Sequence, residues 1–407
     1  MATTRGYGEL VPDPAGIVDL PEGFSYRVIS RLGDQMDDGF TVPDDADGMG
    51  CFDLGNGEIG LVRNHELSMS QDGGGVVGPA YDTFARSLLP LPGGTTTVVL
   101  DERTLEVKRQ YRSLAGTINN CAGGVTPWGS WLSCEEDVTL PDGRANRDHG
   151  YVFEVPADAP GLVDPVPLKA MGRFKHEAAC VDPATGAVYM TEHRDESLLY
   201  RFIPNVPGRL AEGGRLQALA IAGIPDTTNY YRRDIELGDW HTASWVDLDN
   251  PEAPDDDLRF RGAAAGASIF HSNEGIHMGE GEFYFCATYG GAVREGQIFR
   301  VRPGRDGEPD MVQLFFETAD PEQFSFGDNL TIAPNGHLMV CEDQYNRVRP
   351  INHIRGITRQ GAVYPFARMD LDTEWAGVCY APDGQTMFVN IQRPTMTLAI
   401  TGPWLPS

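Results

Sequence analysis

HEAACVDPATGAVYMTE, residues 176–192, is the stretch that decides the fold. An apolar run, Ala178–Val181, leads into an Asp-Pro-Ala-Thr-Gly turn, and a second run, Ala187–Thr191, leads out. Short apolar runs around a Gly-containing turn read as a β-hairpin. A carboxylate stands at each end, Glu177 and Glu192. A hairpin returns the chain to the face it left, so both acids share one rim.

Working outward, the same pattern recurs from Cys121 to Glu135, Glu274 to Thr288, Asp328 to Glu342 and Glu374 to Asn390, with a looser copy from Asp47 to Glu66. The turn glycines fall at 57, 129, 186, 281, 336 and 384. Most intervals are near the ~40–50 residues of a four-stranded blade, or somewhat longer. The larger gap between 186 and 281 calls for an insertion, about 204–266, and a Gly-rich stretch, about 67–95, for another. Residues Gly23–Ile29 are placed beside Thr397–Ile400, closing the ring. The expectation is an all-β, six-bladed β-propeller with loop and helical insertions, a single domain over 1–407. The first strand of each blade lines the central channel, and a metal cluster sits there.

The repeats are registered at both ends. Six residues before Pro127, Pro183, Pro334, Glu280 and Asp53 stand Cys121, Glu177, Asp328, Glu274 and Asp47. In the last copy the same step reaches Ala376, and Glu374 lies two residues earlier, on the same strand side. Six residues after Gly129, Gly186, Gly336 and Gly384 come Glu135, Glu192, Glu342 and Asn390. The fourth copy has Ala287 beside Thr288; the first has Glu66, with Asn64 on the same side. The candidate metal ligands are Cys121, Glu177, Glu274, Glu342, Glu374, Asp328, Glu135, Glu192, Glu66 and Asn64.

Carboxylates are hard ligands suited to Ca²⁺, Mg²⁺ or Fe³⁺, and a thiolate among them selects a softer or redox-capable metal. Carboxylates this close could not all ionise without cations. Such a site can hold a phosphate for in-line attack. Arg63, Arg173, Arg194 and Arg393 stand beside the ligand motifs and suit bidentate phosphate binding. Arg194, Arg63 and Glu136 are the catalytic candidates; Lys175 and His176 are weaker ones. His65, His176, His193, His271 and His277 lack zinc spacing, so supporting or core roles are expected for them. No GxSxG elbow points to a serine nucleophile.

The net charge of −27 argues against nucleic acid and anionic membranes as partners. No stretch is long and apolar enough to span a bilayer. The opening MATTRGYGEL does not read as a signal peptide. Among seven Cys there is no CxxC pair. Cys51, Cys134, Cys180, Cys286, Cys341 and Cys379 sit in strand runs as buried thiols, whereas Cys121 stands where other copies carry acids.

GTINNCAGGVTPWGSWLSCEED (116–137), GRFKHEAACVDPATGAVYMTE (172–192), GDNLTIAPNGHLMVCED (327–343) and EWAGVCYAPDGQTMFVNIQ (374–392) resemble the PhoX-type alkaline phosphatase family. DGFTVPDDADGMG, LVRNHELS and AITGPW match it too. The resemblance implies a six-bladed propeller holding two ferric ions and calcium ions, Fe(3+) and Ca(2+), joined by an oxo bridge, with Cys121 on iron. It implies broad hydrolysis of small-molecule phosphate esters; phosphate monoesters as substrates and a monomer are the expectation. It also implies a periplasmic or secreted location, a cytoplasmic one being left open by the N-terminus. The repeats alone also permit a calcium-dependent propeller phosphodiesterase or lactonase, or a non-catalytic metal-binding propeller.

Overall fold

Each repeat folds as the inner hairpin of a sheet. The inner strands are Ala46–Gly55, Asn120–Val125, His176–Val181, Asn273–Met278, Gly327–Ile332 and Trp375–Tyr380. Their antiparallel partners are Glu58–His65, Ser130–Glu135, Val188–Glu192, Phe283–Ala287, Leu338–Glu342 and Thr386–Ile391. Turn glycines such as Gly186 (φ 74°) and Gly336 (φ 78°) supply the left-handed conformation that closes the hairpins. The computed structural model describes residues 6–76, 78–344 and 351–405.

The inner strands pack side by side in a closed ring, each against the next and the last against the first. Small residues make this approach possible. A Cβ on Gly48 would lie 2.5 Å from the Ala122 Cα, and one on Gly275 would lie 2.7 Å from the Asn329 Cα. Both faces of the hairpins are buried, because each sheet has a neighbour on either side. Val188 and Met190 pack into one apolar cluster, whereas the intervening Tyr189 packs into another. The architecture is all-β and propeller-like, with one α-helix, Leu258–Ala264, among the described residues.

The sheets do not divide as the repeat count suggests. The described strands form one nine-stranded, three four-stranded, one three-stranded and one two-stranded sheet. The nine-stranded sheet arises because Trp240–Leu248, inside the expected 204–266 insertion, pairs on two sides. Its C-terminal half joins Gly214–Ile221 and its N-terminal half joins Asp310–Glu317. It thereby fuses the sheets of the third and fourth hairpins. Ring closure follows the expected pairing: Ser25–Arg31 lies antiparallel to Met396–Thr401. The 67–95 stretch carries no strand among its described residues until Gly93–Asp101 begins. It is held by a small apolar cluster of Leu91, Ile118 and Ala145.

Candidate metal centre

All six hairpins carry a β-bulge at the same place. The register breaks between Ala46 and Met49, Asn120 and Gly123, His176 and Ala179, Asn273 and Ile276, Gly327 and Leu330, and Ala376 and Cys379. A bulge leaves an extra residue unpaired and re-aims its side chain. The first residue inside each bulge is Asp47, Cys121, Glu177, Glu274, Asp328 or Gly377. Five of the six bulges thus bring an acid or thiol to one end of the channel. The sixth has Gly377, where a Cβ would lie 2.3 Å from the Asp47 carbonyl oxygen.

A second set of side chains comes from the ends of the returning strands. In every hairpin the mouth is closed by one backbone hydrogen bond across it: Glu66 to Asp45, Glu136 to Asn119, His193 to Lys175, Thr288 to Ser272, Asp343 to Phe326 and Gln392 to Glu374. The donors of those bonds lie one residue beyond the last paired position in all six copies. Glu66, Glu136, His193, Asp343 and Gln392 turn toward the bulge acids, as their contacts show. Glu136 lies 3.2 Å from His193 Nδ1 and 3.1 Å from Lys175 Nζ. Gln392 Nε2 donates to Asp47 at 3.1 Å and to Glu66 at 3.0 Å.

Three groups of potential ligand atoms result, each spanning no more than 4.8 Å: Asp47, Glu66 and Cys121; Cys121, Glu136 and Glu177; and Glu177, His193 and Glu274. They are linked, since Cys121 belongs to the first two and Glu177 to the last two. The Cys121 thiol donates to Glu177 Oε1 at 3.1 Å, while buried Glu177 Oε2 has no hydrogen-bond partner. The His193 imidazole stands 4.0 Å from that oxygen, and a buried carboxylate oxygen with so distant a donor is costly unless a further cation meets it.

The electrostatics describe the same deficit. Burial, then the charge of Glu274, holds Glu177 well above the usual carboxylate range. Burial, then Glu374 and Asp328, does the same to Asp47. Burial pushes Asp328 up to about 6. Burial and Asp328 push Glu274 to about 8 against the opposing pull of His193. The Cys121 thiol is raised by burial and by Asp47 and Glu177. His193 is the counterweight: burial would lower it, but Glu274 and Glu136 raise it to about 10. One imidazolium and Lys175 cannot balance this many carboxylates. The donor set of oxygens, one thiol and one imidazole fits several hard cations with one softer partner.

The PhoX alkaline phosphatase profile matches residues 5–108 and 100–395, nearly the whole chain. The chain belongs to the PhoX alkaline phosphatase family. A solved structure, Pseudomonas fluorescens PhoX in complex with vanadate, a transition state analogue, shares the fold at a TM-score of 0.72 and 18% identity. It covers 99% of this chain and 97% of that one. A gluconolactonase from Xanthomonas campestris aligns over 99% of this chain and 100% of its own at 14% identity and a TM-score of 0.45. No curated protein sequence matches the chain.

Within this PhoX chain the structure assembles some expected site residues and separates others. Cys121, Glu177, Glu274, Asp328, Glu66 and Glu136 come together. Glu374 joins them from the lead-in to the sixth hairpin, where it sits against Asp343. The strand-end acids do not join, and the repeat alignment is corrected here by one residue. Glu135 accepts from the Ile118, Gly150 and Tyr151 amides and from His149. Glu342 accepts from the Ser325 and His353 amides and forms ion pairs with Arg355 and His353. Glu192 accepts from the Leu198 amide and the Tyr200 hydroxyl with Oε2, while its buried Oε1 has no hydrogen bond and lies 3.8 Å from Arg259. Side chains alternate along a strand, so a residue at the last paired position points sideways when the next points inward.

Asn64 shares the strand side of Glu66 yet does not reach the cluster. It donates to the Cys121 and Ala122 carbonyls and accepts from Trp131 and Ser133, stitching the first hairpin to the second. Arg63 is fully buried between strands, donating to Ser30, Thr96 and Thr397, so it cannot meet a phosphate. Arg173 is buried against the Ala253 and Val138 carbonyls. Arg194 stays at the rim, paired with Asp256 at 2.6 Å. Arg393 pairs with Asp45. His193, Asp47 and Asp343 were absent from the expected ligand set. The available signal was the acid or imidazole directly after each strand-end acid: Glu135-Glu136, Glu192-His193 and Glu342-Asp343.

Beyond the acid ring the channel opens into a cavity of about 290 Å³ lined by side chains such as Met49, Ala122, Cys180, Ile276, Met278 and Val378. No acid lines it.

Proposed function

We propose that this chain is a phosphoric monoester hydrolase whose mouth cluster holds Fe³⁺ and Ca²⁺. The observation that carries the reading is the linked set of three ligand groups, with Cys121 and Glu177 shared and Glu177 Oε2 lacking a hydrogen bond. Asp47, Glu66, Cys121, Glu136, Glu177, His193, Glu274 and Asp328 would hold the cations, with Glu374 and Asp343 beside them. Bound there, cations supply neutralisation of the phosphoryl oxygens and Lewis-acid polarisation. The chain's own groups do the rest. Lys175, one-third exposed at the mouth, offers a cation to a phosphate oxygen while it holds Glu136. Glu136 keeps both Lys175 and His193 in place. Arg194 is a rim candidate that must first exchange its Asp256 partner.

The same proposal counts the ring of six inner hairpins as six blades of one domain over residues 1–407, the nine-stranded sheet being two blades fused by Trp240–Leu248. It takes the protein as a monomer acting on small phosphate esters outside the cytoplasm. No described helix is long and apolar enough to cross a membrane. The test is elemental analysis of untreated protein together with hydrolysis of p-nitrophenyl phosphate. Iron with calcium and monoester turnover are expected. Full metal loading with turnover only of the bis-p-nitrophenyl diester or a lactone would sink the monoesterase reading.

A further inference from the structure

The rim beside the fourth and fifth hairpins carries a row of aromatic rings that the metal centre does not use. Tyr230 and His271 rings lie 5.4 Å apart, His271 and Tyr289 5.8 Å, and Tyr289 and Phe326 5.3 Å. The row is anchored at the mouth. His271 immediately precedes Ser272, and Tyr289 immediately follows Thr288; these two neighbours form the backbone bond that closes the fourth hairpin. Phe326 supplies the carbonyl that closes the fifth. Ser272 (φ 50°) and Phe326 (φ 49°) are both held left-handed there. Such conformations in non-glycine residues are strained and cluster where ligands are clamped.

The outer end of the row is open. Arg294, itself left-handed at φ 61°, stacks its guanidinium 4.3 Å from the Tyr230 ring centroid and 5.6 Å from that of Tyr231. The Tyr230 hydroxyl is tied to the Tyr289 carbonyl at 2.6 Å, which fixes its ring. Tyr231 is 93% exposed and Tyr289 41% exposed. Large aromatic faces left in water beside an oriented guanidinium suit a flat, electron-rich partner, since rings and guanidinium planes both stack on bases.

We propose that this row is the seat for the planar aromatic group of a phosphate ester whose phosphate lies at the metal centre. Tyr231 and Arg294 would be its outer jaws, with Tyr230, His271 and Tyr289 as the wall behind. The inference rests on the phosphatase reading for the phosphate but not for the aromatic contact. The probes are adenosine 5′-monophosphate and phenyl phosphate as aromatic esters, glycerol 3-phosphate as the aliphatic one, and adenosine alone as a ligand without phosphate. The variant is Tyr231→Ala with Arg294→Ala, both exposed side chains outside the metal centre.

Relative to wild type, kcat/KM for one or both aromatic esters should fall about 10-fold, in the range of a single base–aromatic stack, while that for glycerol 3-phosphate holds. Saturation-transfer NMR should detect adenosine on the wild type and not on the variant. A uniform fall across all three esters, or equal adenosine signals from both proteins, would overturn the proposal. A wild type that turns over no ester yet loses adenosine binding in the variant would overturn the phosphatase reading and leave the aromatic seat standing.

Discussion

Glu177 and Glu342 are both buried glutamates at the mouth of an inner hairpin, yet they live opposite lives. Glu342 is surrounded by donors. Two amides, Arg355 and His353 meet its oxygens, and those partners hold it below the usual carboxylate range despite its burial. Glu177 receives one thiol hydrogen, faces Glu274, Asp328 and Glu136, and has one oxygen with no hydrogen-bond partner, 4.0 Å from the His193 ring. The protein completes Glu342 by itself and leaves Glu177 to be completed from outside. Burial and residue type are the same in both cases. On the proposed reading, donor supply separates structural Glu342 from metal-ligating Glu177; Glu192, whose Oε1 also lacks a hydrogen bond, has Arg259 3.8 Å away.

The largest expected break between the two sets is in metal loading. Cys121→Ala removes an atom shared by two ligand groups and should lower hydrolytic activity by more than about 100-fold, the upper end of what even outer-sphere partners of a metal contribute. Its iron content, measured on the untreated protein, should drop with it. Retention of full iron in that variant would remove Cys121 from the centre.

Arg355→Ala probes the other set. It leaves Glu342 buried beside one partner fewer, and breaking a buried pair from one side costs about 3–5 kcal/mol. Urea unfolding should register that loss with metal content per folded chain unchanged. An equal loss of metal would mean that Glu342 reaches the cluster after all.

Gly377→Ala tests the bulge geometry itself. The added Cβ meets the Asp47 carbonyl at 2.3 Å with φ at +63°, so the variant should lose about 1–3 kcal/mol in stability. It should also move Asp47, seen as weakened metal retention against a chelator. Wild-type stability in this variant would mean that the sixth bulge is not tightly held.

The smallest effect near neutral pH belongs to His149, which lies between Glu135 and Asp82 at 2.7 and 3.3 Å. Burial alone would depress it, but those two carboxylates raise it to about 9. A group whose folded value exceeds its unfolded value of about 6.5 stabilises fully below that value and ceases to do so as pH rises through the folded one. Stability should therefore decline between about pH 6.5 and 9, and His149→Gln should flatten the decline in that window. An unaltered slope would place the titration elsewhere.

Much of this arrangement was legible in the chain. The six hairpins, their glycine turns, the closing strand and the inward acids of the first strands follow from a repeat with fixed counts. The phase at the hairpin ends was not legible. Each inner strand gains a residue in its bulge, so counting from the turn gives the right paired residue and the wrong inward one. Apolar alternation could not correct this, because neighbours such as Val188 and Tyr189 are both buried, on opposite faces of the sheet. The fused sheet was hidden for a related reason. Trp240–Leu248 reads WHTASWVDL, a half-polar strand, and only its position between two sheets gives it two partners. His193 fits no zinc spacing along the chain, because its neighbours Glu136 and Glu274 come from the second and fourth hairpins.

The most direct test sets Glu177→Gln beside Glu342→Gln and measures iron and calcium per chain in each untreated protein by mass spectrometry. The account predicts that Glu177→Gln loses metal and Glu342→Gln keeps the wild-type content while unfolding more easily. Metal retained by Glu177→Gln and lost by Glu342→Gln would contradict it.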